Sequence, residues 1–267
     1  MAIAPVVGHA GGERLTGLAA LRADMDVAIV TVGDEILAGD TRNTNAERLA
    51  RRLHERGASV VRMLTIPDDR ELIAEIVDDW RREFDAVIVG GGLGGTHDDV
   101  TMGAVADAFG RELVLEGEVR DDLIEYMADY EGVDPDDLDP EAVDLNLAAW
   151  GATPAGARPL LNPVGLCPGA AVENVYVFPG PPAEFEAMFD LVAGEFGGDA
   201  VSETLATTAP EGSLTDTLAE FRERFDLVVG SYPSTEGTNR LKVTGSDPDT
   251  VSQGIEWLRE RVATPDE

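Results

Sequence analysis

The chain has 267 residues, of which 43% are hydrophobic, and its 20 basic and 52 acidic side chains give a net charge of −32 at neutral pH. This length and apolar content suit one large or two modest domains and exclude a disordered acidic polymer. The longest runs without charge are too short for a membrane-spanning helix, and the single cysteine, Cys167, excludes an internal disulfide and a multi-cysteine zinc site.

The excess of negative charge limits the partners of the protein. A net charge of −32 repels nucleic-acid phosphates and anionic membranes, so neither is expected as a partner. The excess acidic side chains also repel one another in the folded chain, and concentrated salt screens that repulsion. Since Lys242 is the only lysine and no secretory signal precedes Met25, we expect a protein of a halophilic cytoplasm.

The hydrophobic pattern predicts alternating strands and helices from residue 26 onward. Short β-branched runs predict strands at residues 26–32, 59–66 and 86–89. Apolar residues repeat on one helical face after Asn43 or Thr44, and again over residues 72–80. This order predicts an α/β fold with a three-layer, mostly parallel sheet, which binds ligands beyond the carboxyl ends of its strands.

The rest of the chain extends this domain and adds a second one. The acidic residues 117–150 have helical spacing, and residues 169–179 return to strand character. The α/β domain is therefore predicted to span residues 25–198, followed by a small α+β domain of order β-α-β-β-α over residues 199–267. Residues 1–24 are predicted to be a mobile extension, and we assign them no function.

A glycine-rich loop follows the third predicted strand. Gly90 to Gly95 contain five glycines and precede a helix that begins near Thr101. Glycine lets the backbone approach a ligand closely, and a helix start offers N–H groups, so the loop is a candidate phosphate-binding site. It lacks the lysine of a Walker A loop and the register of a dinucleotide motif, and a tight turn with packing glycines remains an alternative.

Acidic residues flank the glycine-rich loop. Asp98 and Asp99 stand before the helix at Thr101, and Asp34 and Glu35 follow the first strand. A carboxylate pair would repel a bound phosphate unless a divalent cation bridges them, so the pattern predicts a metal-dependent phosphate reaction. Asp34 or Glu35 could add a metal contact or a base for water. Helix capping by the first pair and simple solvation of the second remain the structural alternatives.

Four groups of residues carry a family resemblance. They are residues 33–37 with 43–45, residues 91–101, residues 162–165 and residues 179–184. In this order they resemble the amino-terminal region of CinA-type proteins, within the molybdopterin-binding fold of MoaB and MogA. The later Gly230-Ser231-Tyr232-Pro233 resembles the segment that follows this region in CinA.

The sequence departs from the CinA pattern in two ways. The family usually has proline where Gly95 stands, which is expected to leave the loop more flexible. The carboxyl-terminal amidase domain of full-length CinA proteins is absent, so nicotinamide-nucleotide deamidation is not expected.

The resemblance implies a pterin or nucleotide pocket with a divalent cation, either magnesium or, alternatively, manganese or cobalt. It implies a cofactor-binding set of Gly91, Gly92, Gly94, Gly95, Thr96, Thr101, Asn45, Asn162, Pro179, Gly180 and Pro181. The predicted catalytic residues are Asp99, Asp98, Asp34 and Glu35, and the predicted metal ligands are Asp98, Asp99 and Asp34. Asp99 with Thr101 matches the acidic motif that is catalytic in molybdopterin adenylyltransferases.

The resemblance leaves three functions open. The first is metal-dependent hydrolysis of a nucleotide pyrophosphate such as ADP-ribose, to AMP and ribose 5-phosphate. The second is adenylylation of molybdopterin, and the third is a binding module without catalysis that holds a pterin or nucleotide. Related folds form dimers or trimers, so a homo-oligomer is expected.

Overall fold

The computed structural model describes residues 25–95, 98–143, 145–198, 200–233 and 238–265. The predicted extension, residues 1–24, lies outside the described residues. The chain divides into two compact units, Ala23–Asp199 and a second that contains Ala200–Glu267.

The first unit contains eight strands and seven α-helices among its described residues. The strands are β1 (Asp26–Val32), β2 (Ser59–Ile66), β3 (Ala86–Gly90), β4 (Leu113–Val114), β5 (Thr153–Pro154), β6 (Arg158–Leu160), β7 (Gly169–Val172) and β8 (Val175–Phe178). The helices are α1 (Asp34–Leu37), α2 (Thr44–Glu55), α3 (Arg70–Glu83), α4 (Thr101–Ala108), α5 (Gly117–Glu131), α6 (Leu147–Gly151) and α7 (Pro182–Val192). Short 3-10 turns lie at Pro135–Asp137 and Ala193–Glu195.

Six of these strands form one sheet in the order β2-β1-β3-β8-β7-β6. β1 pairs in parallel with β2 and β3, and β3 pairs in parallel with β8. β7 and β6 run antiparallel to their neighbours, and β4 and β5 form a separate two-stranded ribbon. The predicted α/β fold with a mostly parallel sheet is therefore confirmed.

The strand character predicted for residues 169–179 belongs to a hairpin of two strands, β7 and β8, which the sequence pattern does not separate. Glu173 turns the chain between them with a φ of 54°, a conformation that glycine or asparagine usually supplies. β4, β5 and β6 have only two or three residues each, too few for a periodicity to predict them.

Side-chain caps begin the helices on both faces of the sheet. The Asn43 side chain accepts the N–H of Ala46 at 3.2 Å, and the Asp69 side chain accepts those of Glu71 and Leu72 at 3.0 and 3.1 Å. Each carboxylate or amide oxygen satisfies helix-start N–H groups that have no partner within the helix. The helix α2 therefore starts where the sequence predicts it.

Two apolar cores cover the two faces of the sheet. In β1, Val27 and Ile29 belong to one core, and Ala28 and Val30 belong to the other. Burial on both faces explains why the strands are apolar throughout instead of alternating with polar residues. Among the described residues, no helix has the length and apolarity that crossing a bilayer requires.

The second unit has the predicted order β-α-β-β-α. Its elements are β9 (Val201–Thr207), α8 (Thr215–Arg224), β10 (Val228–Tyr232), β11 (Asn239–Gly245) and α9 (Pro248–Arg259). The three strands form an antiparallel sheet in the order β10-β11-β9, and residues such as Leu205, Phe221 and Leu241 pack in one core. The predicted small α+β domain is confirmed.

We expect a fragment of residues 25–198 to fold by itself in molar KCl, with one cooperative thermal transition. The two cores on its sheet contain no residue beyond Phe196, so the fragment retains the apolar surface that stabilises it. Circular dichroism of the fragment and of the whole chain tests this. A fragment without near-ultraviolet signal or cooperative melting would contradict it.

Candidate functional site

The carboxyl ends of β1, β2 and β3 lie side by side at one edge of the sheet. Val32 of β1 pairs with Ile66 of β2, and Thr31 pairs with Gly90 of β3. The strands are parallel and in this register, so the loops that begin at residues 33, 67 and 91 leave the sheet together. This edge is where the sequence predicts the ligand site.

A cleft of about 270 Å³ lies among these loops, and we call it the acidic cleft. The first loop contributes Gly33, Glu35 and Ile36, and the glycine-rich loop contributes Gly91 and Gly92. Four carboxylates line the cleft: Glu35, Asp68, Asp98 and Asp99. The structure therefore brings together the two loops that the sequence singles out, and adds an acidic residue between them.

That added residue, Asp68, is absent from the predicted site. It follows β2, and its carboxylate accepts the backbone N–H of Asp34 at 3.0 Å. Burial raises the pKa of Asp68 above its ordinary value, and the nearby charges of Asp34, Glu35 and Asp98 raise it further, against the opposing effect of the Asp34 N–H. Asp68 thus lies within a field of three other carboxylates.

One signal in the sequence could have identified Asp68. Of the adjacent pair Asp68 and Asp69, only Asp69 caps α3. Asp68 does not cap α3, and it follows the carboxyl end of a strand, where ligand-binding residues of parallel sheets are found.

The glycine-rich loop has a conformation that requires glycine at two positions. Gly91 has a φ of 103°, and a Cβ there would collide with the carbonyl oxygen of Val32. Gly92 has a φ of 64°, and a Cβ there would collide with Oγ1 of Thr101. The N–H of Gly91 is bonded to the carbonyl of Phe178 at 3.1 Å, so the role of Gly91 is to shape the turn.

Asp98 and Asp99 precede the N-cap residue of α4, which is Val100. The Val100 side chain makes no capping hydrogen bond. Asp99 lies against Gly94, where a Cβ would overlap its carboxylate. Asp98 is exposed and lines the acidic cleft, and Asp34, also exposed, lies close enough to affect Asp68.

Asn45 and Thr101 carry buried oxygens beside the cleft that have no protein hydrogen-bond partner within the described chain. Nδ2 of Asn45 donates to the carbonyl of Gly180 at 2.7 Å, and its Oδ1 is buried without a partner. Both Asn45 and Gly180 line the acidic cleft. Thr101 is fully buried behind Gly92, with Oγ1 unpartnered, so it supports the loop from below.

Asn162 lies in a buried turn instead of at the cleft. Its Nδ2 donates to the carbonyl of Cys167 at 2.9 Å and to Glu184 at 2.7 Å, while its Oδ1 accepts the N–H of Val164 at 3.1 Å. All of these contacts are internal, and they hold the residues 162–167 against α7. The structure thus gives Asn162 an architectural role.

Pro179 and Pro181, two further predicted binding residues, do not line the acidic cleft. Pro179 is buried at the end of β8, and Pro181 is the exposed N-cap of α7. Their neighbour Gly180 is the residue of this turn that lines the cleft together with Pro182. Thr96 lies outside the described residues.

Cys167 supports the glycine-rich loop from the interior. It is 7% exposed, and its thiol donates to the carbonyl of Leu93 at 3.4 Å. Burial, with smaller effects of Glu184 and Asp99, raises the pKa of Cys167 to about 12. The residue is therefore a protonated, buried thiol.

A second cleft, of about 310 Å³, lies on the other side of the glycine-rich loop, and we call it the tryptophan cleft. It shares Gly92 and Asp99 with the acidic cleft and is also lined by Gly95, Trp150 and Arg70. Of Gly95, Trp150 and Arg70, only Gly95 is in the predicted site. Trp150 belongs to the acidic segment of residues 117–150, in which the sequence predicts helices but no site residue.

A family model described as a probable molybdopterin binding domain matches residues 28–196, which is more than half of the chain. The chain belongs to this family. The matched region contains both clefts and all predicted site residues. This membership agrees with the α/β fold and with the resemblance drawn from the loop motifs.

Individual relatives of this molybdopterin-binding-domain protein include CinA-type chains, so the predicted resemblance is confirmed. A protein of Archaeoglobus fulgidus is 37% identical over 238 residues, which cover 88% of this chain and 97% of the relative. A CinA-like protein of Citrifermentans bemidjiense is 39% identical over 264 residues, but the chain spans only 58% of its length. The crystal structure of CinA from Thermoplasma acidophilum is 28% identical, with a TM-score of 0.56, and covers 64% of this chain and 99% of that one.

We expect Gly91→Ala to lower the free energy of unfolding by about 2–4 kcal/mol, because the new Cβ meets both an unfavourable φ and a backbone oxygen. Gly110→Ala is the matched control, since Gly110 also has a positive φ, of 60°, but no atom within 4 Å of a Cβ. Chemical denaturation in molar KCl measures both. Equal losses of unfolding free energy in the two variants would show that the contact with Val32 does not destabilise Gly91→Ala.

We expect Asp68→Asn to raise the free energy of unfolding at pH 7 by about 0.5 kcal/mol, because it removes a charge that burial and then repulsion from the neighbouring carboxylates disfavour. Because the pKa of Asp68 is raised in the folded protein, ionised Asp68 lowers the free energy of unfolding at pH values above that pKa. This loss disappears as the pH falls to the ordinary pKa of the group, 3.8. The gain should shrink in high KCl and at low pH. Asp69→Asn, which keeps a good helix cap, is the control, and an equal gain there would contradict the assignment.

Proposed function

We propose that this protein binds a pterin or nucleotide at the acidic cleft and hydrolyses a nucleotide pyrophosphate such as ADP-ribose with the help of a divalent cation. The observation that carries the proposal is the position of Asp68, Asp98 and Asp99 directly beside the glycine-rich loop. The loop has room for a phosphate, but the carboxylates beside it would repel one. A divalent cation between the phosphate and the carboxylates removes this repulsion. Family membership supports the pterin or nucleotide as ligand.

The donor atoms of the acidic cleft fit a hard cation such as Mg²⁺. All four acidic side chains that line it offer oxygen, and the charges of Asp34, Glu35 and Asp98 act on Asp68 in addition to its burial. No three His, Cys, Asp or Glu side chains converge as a metal centre within the described parts of the chain. Magnesium at nucleotide sites needs only one or two carboxylates, because the phosphates and water supply the other ligands.

Asp98 and Asp99 would hold this cation, with Asp34 or Asp68 as a further contact, and the cation would neutralise charge on the phosphoanhydride. The chain itself contributes the other functions. The backbone N–H groups that follow Gly91 would bind the diphosphate. The N–H of Gly91 itself does not take part, because it is already bonded to the carbonyl of Phe178. Glu35 lines the same cleft and would accept a proton from the attacking water. Asn45 offers its unpartnered Oδ1 to a ligand hydroxyl.

The test is release of AMP from ADP-ribose in molar KCl with magnesium, manganese or cobalt. We expect Asp99→Asn and Asp68→Asn to reduce the rate by roughly 100-fold or more, because each removes a carboxylate from the cleft. Asp216→Asn, on the exposed surface of α8, is the control and should keep the wild-type rate. Unchanged turnover in a folded Asp99→Asn protein would contradict the proposal.

The same preparation distinguishes the two other functions. Transfer of AMP from ATP to molybdopterin, without hydrolysis of ADP-ribose, would identify an adenylyltransferase. Saturable binding of pterin or nucleotide without turnover under any of the three metals would identify a binding module. High salt is part of the design, because a net charge of −32 would otherwise unfold the chain and imitate an inactive variant.

The charge and the relatives also motivate two proposals about the protein in solution. The net charge supports a halophilic cytoplasm as its setting. The resemblance to MoaB and MogA supports a homo-oligomer. Light scattering at several KCl concentrations measures the oligomeric state directly.

A further inference from the structure

We propose that the tryptophan cleft binds the planar heteroaromatic ring of the ligand, with Trp150 as the surface on which the ring stacks. This inference rests on the proposed function, since it assigns one part of the ligand to a second subsite. The acidic cleft and the tryptophan cleft share Gly92 and Asp99. A ligand whose phosphate lies on the glycine-rich loop therefore has one cleft on each side of that phosphate.

The chemical difference between the clefts assigns the ring to the tryptophan cleft. Trp150 is the aromatic side chain of this cleft, and the described lining of the acidic cleft has none. The acidic cleft has four carboxylates, whereas the tryptophan cleft has only Asp99 among its described lining residues. A purine or pterin ring gains most from stacking on indole and from a less charged environment, while hydroxyl groups, which donate to carboxylates, suit the acidic side.

The position of Trp150 depends on the absence of a side chain at Gly95. The indole Nε1 and Cε2 occupy the space where a Cβ of residue 95 would be. Trp150 is half-buried in the cleft, whereas Trp80 and Trp257, the other tryptophans, are only 8% and 6% exposed. The glycine thus lets the indole lie directly against the loop that is proposed to hold the phosphate.

Arg70 provides a fixed polar group in the same cleft. Its Nε and Nη2 donate to the two carboxylate oxygens of Asp107 at 2.6 and 3.0 Å, and its Cζ would lie 3.1 Å from a Cβ of Gly103. The bidentate contact orients the guanidinium and leaves Nη1 as the nitrogen that Asp107 does not engage. This N–H is suited to an acceptor atom on the edge of a stacked ring.

Tryptophan fluorescence in molar KCl tests the inference, with AMP and hydroxymethylpterin as probes. Neither probe contains a phosphoanhydride, so binding is measured without turnover. We expect one of them to quench the emission of Trp150, and the probe that does so identifies the ring as purine or pterin. Calorimetry should show a loss of affinity of roughly 5- to 150-fold in Trp150→Ala and a smaller loss in Trp150→Phe.

A double-mutant cycle separates stacking from a general effect on folding. Gly95→Ala should weaken binding about as much as Trp150→Ala, because it displaces the indole, and it should add no further loss in the Trp150→Ala background. Trp257→Phe, in the second unit, is the control. Unchanged affinity in Trp150→Ala, or no quenching by either probe in a folded wild-type protein, would overturn the inference. Quenching that Trp150→Ala abolishes, in a protein that does not hydrolyse ADP-ribose, would support it while rejecting the proposed hydrolysis.

Discussion

The register of three parallel strands determines the geometry of the whole candidate site. β1 lies between β2 and β3, and its last residues pair with Ile66 on one side and Gly90 on the other. The three loops therefore leave the sheet at the same edge, from strands that are about 5 Å from their neighbours. The close approach of Gly91 to the Val32 carbonyl is the point where two of these loops meet, and it leaves no room for a side chain. The acidic cleft follows from this arrangement.

The sequence predicted most of the fold because its signals are local. Caps such as Asn43 and Asp69 bond to N–H groups two or three residues away, and the apolar runs of the strands are continuous in the sequence. The hairpin of β7 and β8 escaped prediction because its turn residue, Glu173, has a left-handed φ without the glycine that usually signals one. Strands of two or three residues depend on their partners for existence and have no periodicity of their own.

The site was predicted in part, and the missing residues share a physical reason. The glycine-rich loop and the acidic residues beside it are contiguous, so a motif could identify them. Asp68 and Trp150 reach the loop only through tertiary structure, from β2 and from the helical segment. Asn162 shows the opposite case, because its place in a family motif reflects the turn that it holds together and not a surface at the cleft.

The contact between Gly95 and Trp150 has an evolutionary consequence. A proline at position 95, as the CinA pattern usually has, would place ring atoms where the indole now lies. Each substitution alone is unfavourable. Proline at position 95 would displace the Trp150 indole, and a smaller residue at position 150 would remove the side chain that packs against Gly95. The two positions are therefore expected to covary among relatives, with glycine accompanying tryptophan and proline accompanying a smaller side chain.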